Sequence, residues 1–87
     1  MPNIAADPEE LKNLAKTIAA AGQHLETIRT QVTKAIANSG WNDAERQKFE
    51  QQIAADLKTI GAISERFKTQ YRVSLERKAR ALEDFRR

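Results

Sequence analysis

The feature that most constrains this chain is one short turn-forming segment between two long stretches without a proline. Both prolines, Pro2 and Pro8, stand within the first ten residues, and the glycines are only at positions 22, 40 and 61. Alanine, leucine, glutamate, lysine, arginine and glutamine dominate the remainder, and these residues are mostly good helix formers. We therefore expect an all-α protein with a single domain over residues 1–87.

The first helix is marked by a start signal and by its apolar spacing. Asp7 can cap, Pro8 suits the first helical position, and Glu10 stands where a capping box needs a carboxylate. Apolar residues then recur every seven positions in two series, which predicts one stripe along a helix. The series are Leu11, Ile18, Leu25, Val32 and Leu14, Ala21, Ile28, Ala35. Asn38-Ser39-Gly40 favours an end to the helix, so helix 1 is expected over about residues 8–37.

A second helix is predicted from about residue 43 to 85, after a turn at about 38–42, because no proline interrupts it. Asn42 or Asp43 is the expected cap, with Glu45 completing a capping box if Asn42 is used. The predicted apolar stripe is Phe49, Ile53, Leu57, Ile60, Phe67, Tyr71, Leu75 and Leu82. Four of these residues are spaced by elevens, which is typical of a nearly straight helix.

Two helices joined by a short turn must form an antiparallel hairpin. If the pairing starts at the turn, residue i lies opposite residue 81 minus i, which places Pro8 near Val73 and leaves the rest of helix 2 overhanging. Gly22 then falls close to Gly61. We interpret Ala21, Gly22, Ile60 and Gly61 as a helix-crossing or dimer contact, although the two glycines are equally explained as tolerated helix residues.

An isolated two-helix hairpin buries only one stripe per helix, so it is expected to be marginal. Ile36, Ile63 and Val73 lie at or beyond the edges of the stripes. Pairing of two hairpins into a four-helix bundle, as a homodimer or a heterodimer, is the simplest way to cover them.

The turn between the helices carries the only tryptophan of the chain, Trp41, with Phe49 eight residues later. A hairpin of this size, with that tryptophan and with the opening "IAADPEELKNLAKTI", resembles the WXG family of early-secreted-antigen-like proteins over nearly the whole chain. The family's triplet is tryptophan, any residue, glycine, whereas this chain has Trp41-Asn42-Asp43. The resemblance implies that Trp41, Asn42, Asp43 and Phe49 form a docking notch. From the residues alone, the indole is equally a cover for the end of the hairpin.

The resemblance also implies a function. Family members are substrates of type VII (ESX) secretion systems, exported through a membrane-bound ATPase without a cleaved signal peptide, and some escort a larger toxin. The opening "MPNIAADPEE" lacks the charged start and apolar core of a signal peptide, which agrees with synthesis in the cytoplasm and export by such a route. Many family pairs carry an export signal of tyrosine followed four residues later by an acid. Here the residue four positions after Tyr71 is Leu75, which is not acidic, so a partner would have to supply that signal.

The charge pattern favours a rival function. The net charge of +3 lies in the second half, and residues from Arg66 onward hold eight basic and three acidic side chains. A basic helical module that binds nucleic acid or an anionic membrane is the alternative. Pairs four apart, Glu76 with Arg80 and Glu83 with Arg87, indicate instead a solvated face. The candidate contacts of this tail are Tyr71, Leu75, Arg77, Lys78, Leu82 and Phe85. Aromatics that follow the apolar stripe make nucleic acid the less expected ligand, and leave a partner helix or a membrane surface.

Catalytic chemistry is not indicated. His24 is the only histidine and there is no cysteine, so neither a metal site nor a nucleophile and base pair is expected. No glycine-rich phosphate loop is present, and no cofactor is expected. We expect a non-enzyme that acts through protein–protein interaction, with a polymerising structural subunit of a secretion apparatus as a third possibility.

Overall fold

Two antiparallel helical arms joined by a turn make up the protein, in a computed structural model that describes residues 7–85. The first arm is α1, Pro8–Ala37. The second arm consists of α2, Ala44–Glu65, a π-helical turn, Arg66–Tyr71, and α3, Arg72–Phe85, which follow one another without a break. Residues 7–85 contain no strand, and the expected all-α hairpin is confirmed. The molecule is a rod of 65 × 19 × 17 Å.

The ends of α1 follow from local sequence. The Asp7 side chain accepts a 2.9 Å hydrogen bond from the Glu9 amide, and Pro8, which has no amide hydrogen to lose, occupies the first turn. At the other end the Asn38 amide donates to the carbonyl oxygens of Lys34 and Ile36. Gly40 then adopts a positive φ of 78°, a conformation that glycine reaches without strain, and it carries the chain out of the helix.

The second arm is capped by Asp43, so the alternative cap at Asn42 with Glu45 was wrong. Asp43 has extended backbone, and its Oδ1 accepts hydrogen bonds from the amides of Glu45 (3.0 Å) and Arg46 (3.2 Å). A single carboxylate therefore satisfies two amides that the first helical turn leaves without a partner.

A π-helical turn interrupts the second arm, which the sequence did not predict. Such a turn takes in about one more residue than an α-helical turn, so it changes the side on which the following residues lie. Arg72 supports it, because its Nε donates a 2.7 Å hydrogen bond to the Lys68 carbonyl oxygen. The second arm is therefore not the uniform α-helix that the eleven-residue spacing suggested.

The pairing register of the arms also differs from the prediction. Ile36 shares a groove with Ile53, eight residues beyond the expected position 45, and Lys12 bonds Glu83 instead of facing position 69. The link, residues 38–43, and the first two turns of α2 extend past the end of α1, since from Ala44 to Gln52 every residue except Arg46 is exposed. The overhang thus lies at the turn end, and α3 packs along α1 instead of projecting beyond it.

The interior between the arms is built from small residues. Ala15 and Ala79 are 1% and 0% exposed, and Ser64 is the largest side chain that is fully buried among the described residues. Along α1 the buried line includes Pro8, Ala15 and Gly22, flanked by the half-buried Leu11, Ile18, Leu25 and Val32. The second predicted series does not join this core, since Leu14 and Ile28 are each 45% exposed.

Candidate protein interaction surfaces

The arms approach most closely at Gly22. Ser64 Oγ donates a buried 2.7 Å hydrogen bond to the Gly22 carbonyl oxygen. A Cβ placed on Gly22 would lie 2.9 Å from the Ser64 carbonyl oxygen, from Phe67 Cβ and from Lys68 Cγ. Side chains essentially never come so close, so this contact requires glycine.

The predicted pairing of Gly22 with Gly61 was wrong. Gly61 faces the side chain of Arg29, whose Nε would lie 3.5 Å from an added Cβ, which is ordinary contact. Ala21 and Ile60 are half-buried and lie to one side of the contact. Neither Ser64 nor Arg29 was predicted to lie at this contact. The one available signal was that Ser64, a small residue, stands three positions after Gly61 and so on the same side of the helix.

One open face of the hairpin carries two ion pairs, one within α1 and one between the arms. Arg29 donates to both carboxylate oxygens of Glu26, through Nε at 3.2 Å and through a terminal nitrogen. These bonds lower the pKa of Glu26 and raise the pKa of Arg29. Further along, Lys12 Nζ lies 2.7 Å from Glu83 Oε2, and this hydrogen bond raises the pKa of Lys12. We call this side of the hairpin the polar face.

The opposite open face is apolar. Leu14, Ala21 and Ile28 stand one residue before the line of Ala15, Gly22 and Arg29, which turns them about 100° to one side of α1. In the second arm, several apolar residues lie to the same side of its buried line, so they share this face with the three residues of α1. Together these define the apolar face: Leu14, Ala21, Ile28, Phe49, Ile60, Phe67 and Tyr71.

Much of the apolar face is open to solvent. Leu14 and Ile28 are 45% exposed, Tyr71 is 41% exposed and Phe49 is 36% exposed. Tyr71 packs edge-on against Phe67, with ring centroids 5.6 Å apart. A row of large apolar side chains from both arms, on one side only, is typical of a surface that binds another protein.

The turn end of the hairpin is organised around Trp41. Its ring lies 5.5 Å from that of Phe49, centroid to centroid, and its Nε1 donates a 2.7 Å hydrogen bond to Asp43 Oδ1. Arg46 donates to the Trp41 carbonyl oxygen at 2.9 Å, and the Ser39 hydroxyl accepts from the Trp41 amide at 3.1 Å. Asn42 is exposed beside this cluster. The Asp43 carboxylate therefore holds the indole as well as capping α2.

The last helix does not form a free tail. Leu75 and Leu82 are half-buried, and Ala79 between them is fully buried. The expected pair of Glu76 with Arg80 is not observed, and Glu76 lies 3.8 Å from Arg72. Glu83 bonds Lys12, and its expected partner Arg87 lies outside the described residues. Arg77, Lys78 and Phe85 remain exposed.

Residues able to carry out chemistry do not converge in the part of the chain that the structure describes. Over residues 7–85 no group of three or more histidine, cysteine, aspartate or glutamate side chains is placed to hold a metal ion. His24 is exposed, and the Ser39 hydroxyl donates to the Ile36 carbonyl oxygen at 2.8 Å. None of the described helices has the length and apolar character needed to cross a membrane.

Comparisons of the chain with known protein families, with curated proteins and with solved structures find no match.

Proposed function

We propose that this chain is a non-enzymatic helical hairpin that works through protein–protein contact. It acts as a WXG-like substrate, adaptor or co-exported partner of a type VII-like secretion system. The observation that supports this most is the apolar face, to which both arms contribute exposed large side chains. A surface of this kind serves binding, since a contiguous row of large apolar side chains left open to water marks a site of protein contact.

The occupant that best fits the apolar face is a second helical hairpin, which completes a four-helix bundle. The described core consists chiefly of alanine, glycine and serine, so the single hairpin buries little apolar area. Pairing would bury Leu14, Ile28 and Tyr71 and add the missing core. The partner is a second copy of this chain or a related hairpin, and a larger exported toxin is a further candidate.

The secretion role depends on the likeness of the turn to that of the WXG family. Trp41 and Phe49 are in contact at one end of the rod, where α2 extends beyond the C-terminal end of α1. The end is thus accessible to a secretion ATPase. Leu75, four residues after Tyr71, is not acidic, so the export signal of the pair is assigned to the partner chain.

Export is tested by following the epitope-tagged chain in its source cells. We expect the chain in the culture medium when the secretion ATPase is active and only in the cytoplasm when it is inactivated. Trp41→Ala should reduce export, whereas Thr59→Ala, a change at an exposed position of α2 away from the turn, should not. Equal amounts in the medium with and without the active ATPase would overturn the secretion role.

A further inference from the structure

The ion pairs of α3 leave three of its cations without a carboxylate partner among residues 7–85. The carboxylate of Glu76 lies beside Arg72, and that of Glu83 crosses to Lys12. Arg77, Lys78 and Arg80 form no ion pair within 4.0 Å in this range. We call these three residues the basic surface.

The basic surface points away from α1. Ala79 is 0% exposed against α1, and at about 100° per residue Arg77 lies on the far side of the helix from it. Lys78 and Arg80 lie at the two flanks. Pairing through the apolar face would therefore leave Arg77 and Arg80 open to solvent.

An exposed aromatic ring accompanies these cations. Phe85 is 89% exposed, by far the most exposed of the large apolar side chains in the described residues. It stands seven residues after Lys78, on the same flank of the helix and about 10 Å further along its axis. Asp84 is the remaining carboxylate here, and the sequence continues with Arg86 and Arg87.

We propose that this side of α3 binds reversibly to an anionic phospholipid surface, with Phe85 inserted at the level of the headgroups. Cations around one protruding ring fit the interfacial region of an anionic bilayer, where lysine and arginine meet lipid phosphates and the ring leaves water. Nucleic acid fits less well, because single strands bind on several stacking rings and only Phe85 lies beside the basic surface.

Binding is measured by co-sedimentation of the full chain with vesicles of phosphatidylcholine alone or with about one third phosphatidylserine. We expect binding only to the anionic vesicles, weakening as salt rises. Each cation near such a surface contributes roughly fivefold in affinity, so R77Q/K78Q/R80Q should weaken binding at least about tenfold.

The matched control is K34Q/K48Q/K58Q, which removes the same charge from exposed positions outside α3 and should weaken binding less than about threefold. Phe85→Ser should weaken binding while leaving the helical circular dichroism unchanged, because the ring is almost fully exposed. Equal losses in the two triple variants, or binding of phosphatidylcholine vesicles as tight as that of the anionic ones, would overturn the proposal. Tighter binding to a 20-base-pair DNA than to anionic vesicles would overturn it in favour of nucleic acid.

Discussion

Ser64 Oγ donates a 2.7 Å hydrogen bond to the carbonyl oxygen of Gly22, which stands 42 residues earlier in the chain, and both residues are buried. The bond fixes the closest approach of the two arms immediately before the π-helical turn. On one side of this contact α3 packs on the N-terminal half of α1. On the other side α2 packs along the C-terminal half of α1. The contact thus fixes how the two arms face each other at this level of the hairpin.

Replacing Gly22 with alanine should destabilise the protein even though alanine is the better helix former. Its Cβ would lie 2.9 Å from Phe67 Cβ and from the Ser64 carbonyl oxygen, so the arms must separate. Overpacking costs about 1–3 kcal/mol, against a propensity gain of about 1 kcal/mol. The net loss is therefore up to about 2 kcal/mol, and we expect thermal unfolding at fixed protein concentration to show a Tm lower by about 4–8 °C for each kcal/mol lost.

Gly61→Ala is the matched control for that experiment. Its Cβ would meet only the Arg29 side chain at 3.5 Å, so the propensity gain should appear as an unchanged or higher Tm. Equal responses of the two variants would show that the close approach at Gly22 does not set the packing.

Asp43→Gly should loosen the turn. It removes the acceptor for Trp41 Nε1 and for the amides of Glu45 and Arg46. Because Trp41 is the only tryptophan, acrylamide quenching of its fluorescence reports this site alone, and we expect quenching to increase. Asp43→Asn retains an acceptor oxygen and should change quenching much less. Quenching that is the same in the glycine variant and the wild type would contradict the role assigned to this carboxylate.

Acid should weaken the hairpin through Glu26. The hydrogen bonds from Arg29 lower its pKa, so the stabilisation is complete above the unfolded carboxyl value of about 4.3 and is lost as pH falls through the folded value. Urea unfolding at pH 7 and pH 3 should therefore show a smaller loss of stability for Glu26→Gln than for the wild type. The effect should be small and salt-sensitive, since the pair is solvent-accessible.

Asp56→Asn serves as the control for the acid experiment, because Asp56 is exposed and forms no ion pair within residues 7–85. Its loss of stability between pH 7 and pH 3 should match that of the wild type. If Glu26→Gln lost as much stability between pH 7 and pH 3 as the wild type, the ion pair of Glu26 with Arg29 would be excluded as a source of acid sensitivity.

The helices could be predicted from sequence because their signals are local. Asp7-Pro8 starts α1 and Gly40 lies just beyond its end, and each acts within a few residues of itself. The register could not be predicted, because it depends on the path of the link, residues 38–43, and on a π-helical turn with no sequence signature. Lys12 and Glu83, 71 residues apart, meet only as a result of both.

The side of α1 that is buried against the second arm also could not be predicted from the sequence. Leu14 and Ile28 belong to a series with the seven-residue spacing of a core stripe. The residues of α1 that are buried between the arms are instead small ones, such as Ala15 and Gly22. Small residues let the arms approach closely, and the larger ones are then displaced to the flank. An apolar pattern does not distinguish a side chain that packs within the hairpin from one that packs against a partner.

The most direct test of the account is the solution mass by light scattering from micromolar to near-millimolar concentration. The central claim, in its homodimeric form, is that the apolar face pairs two copies of this chain. Wild type should approach twice the chain mass of 9.8 kDa, and so should Thr27→Glu, which places a charge on an exposed position next to the face. Ile28→Glu, with the same added charge on the face itself, should remain a folded single chain. A wild type that stays a folded monomer throughout, or an Ile28→Glu variant that pairs as well as the wild type, would contradict it.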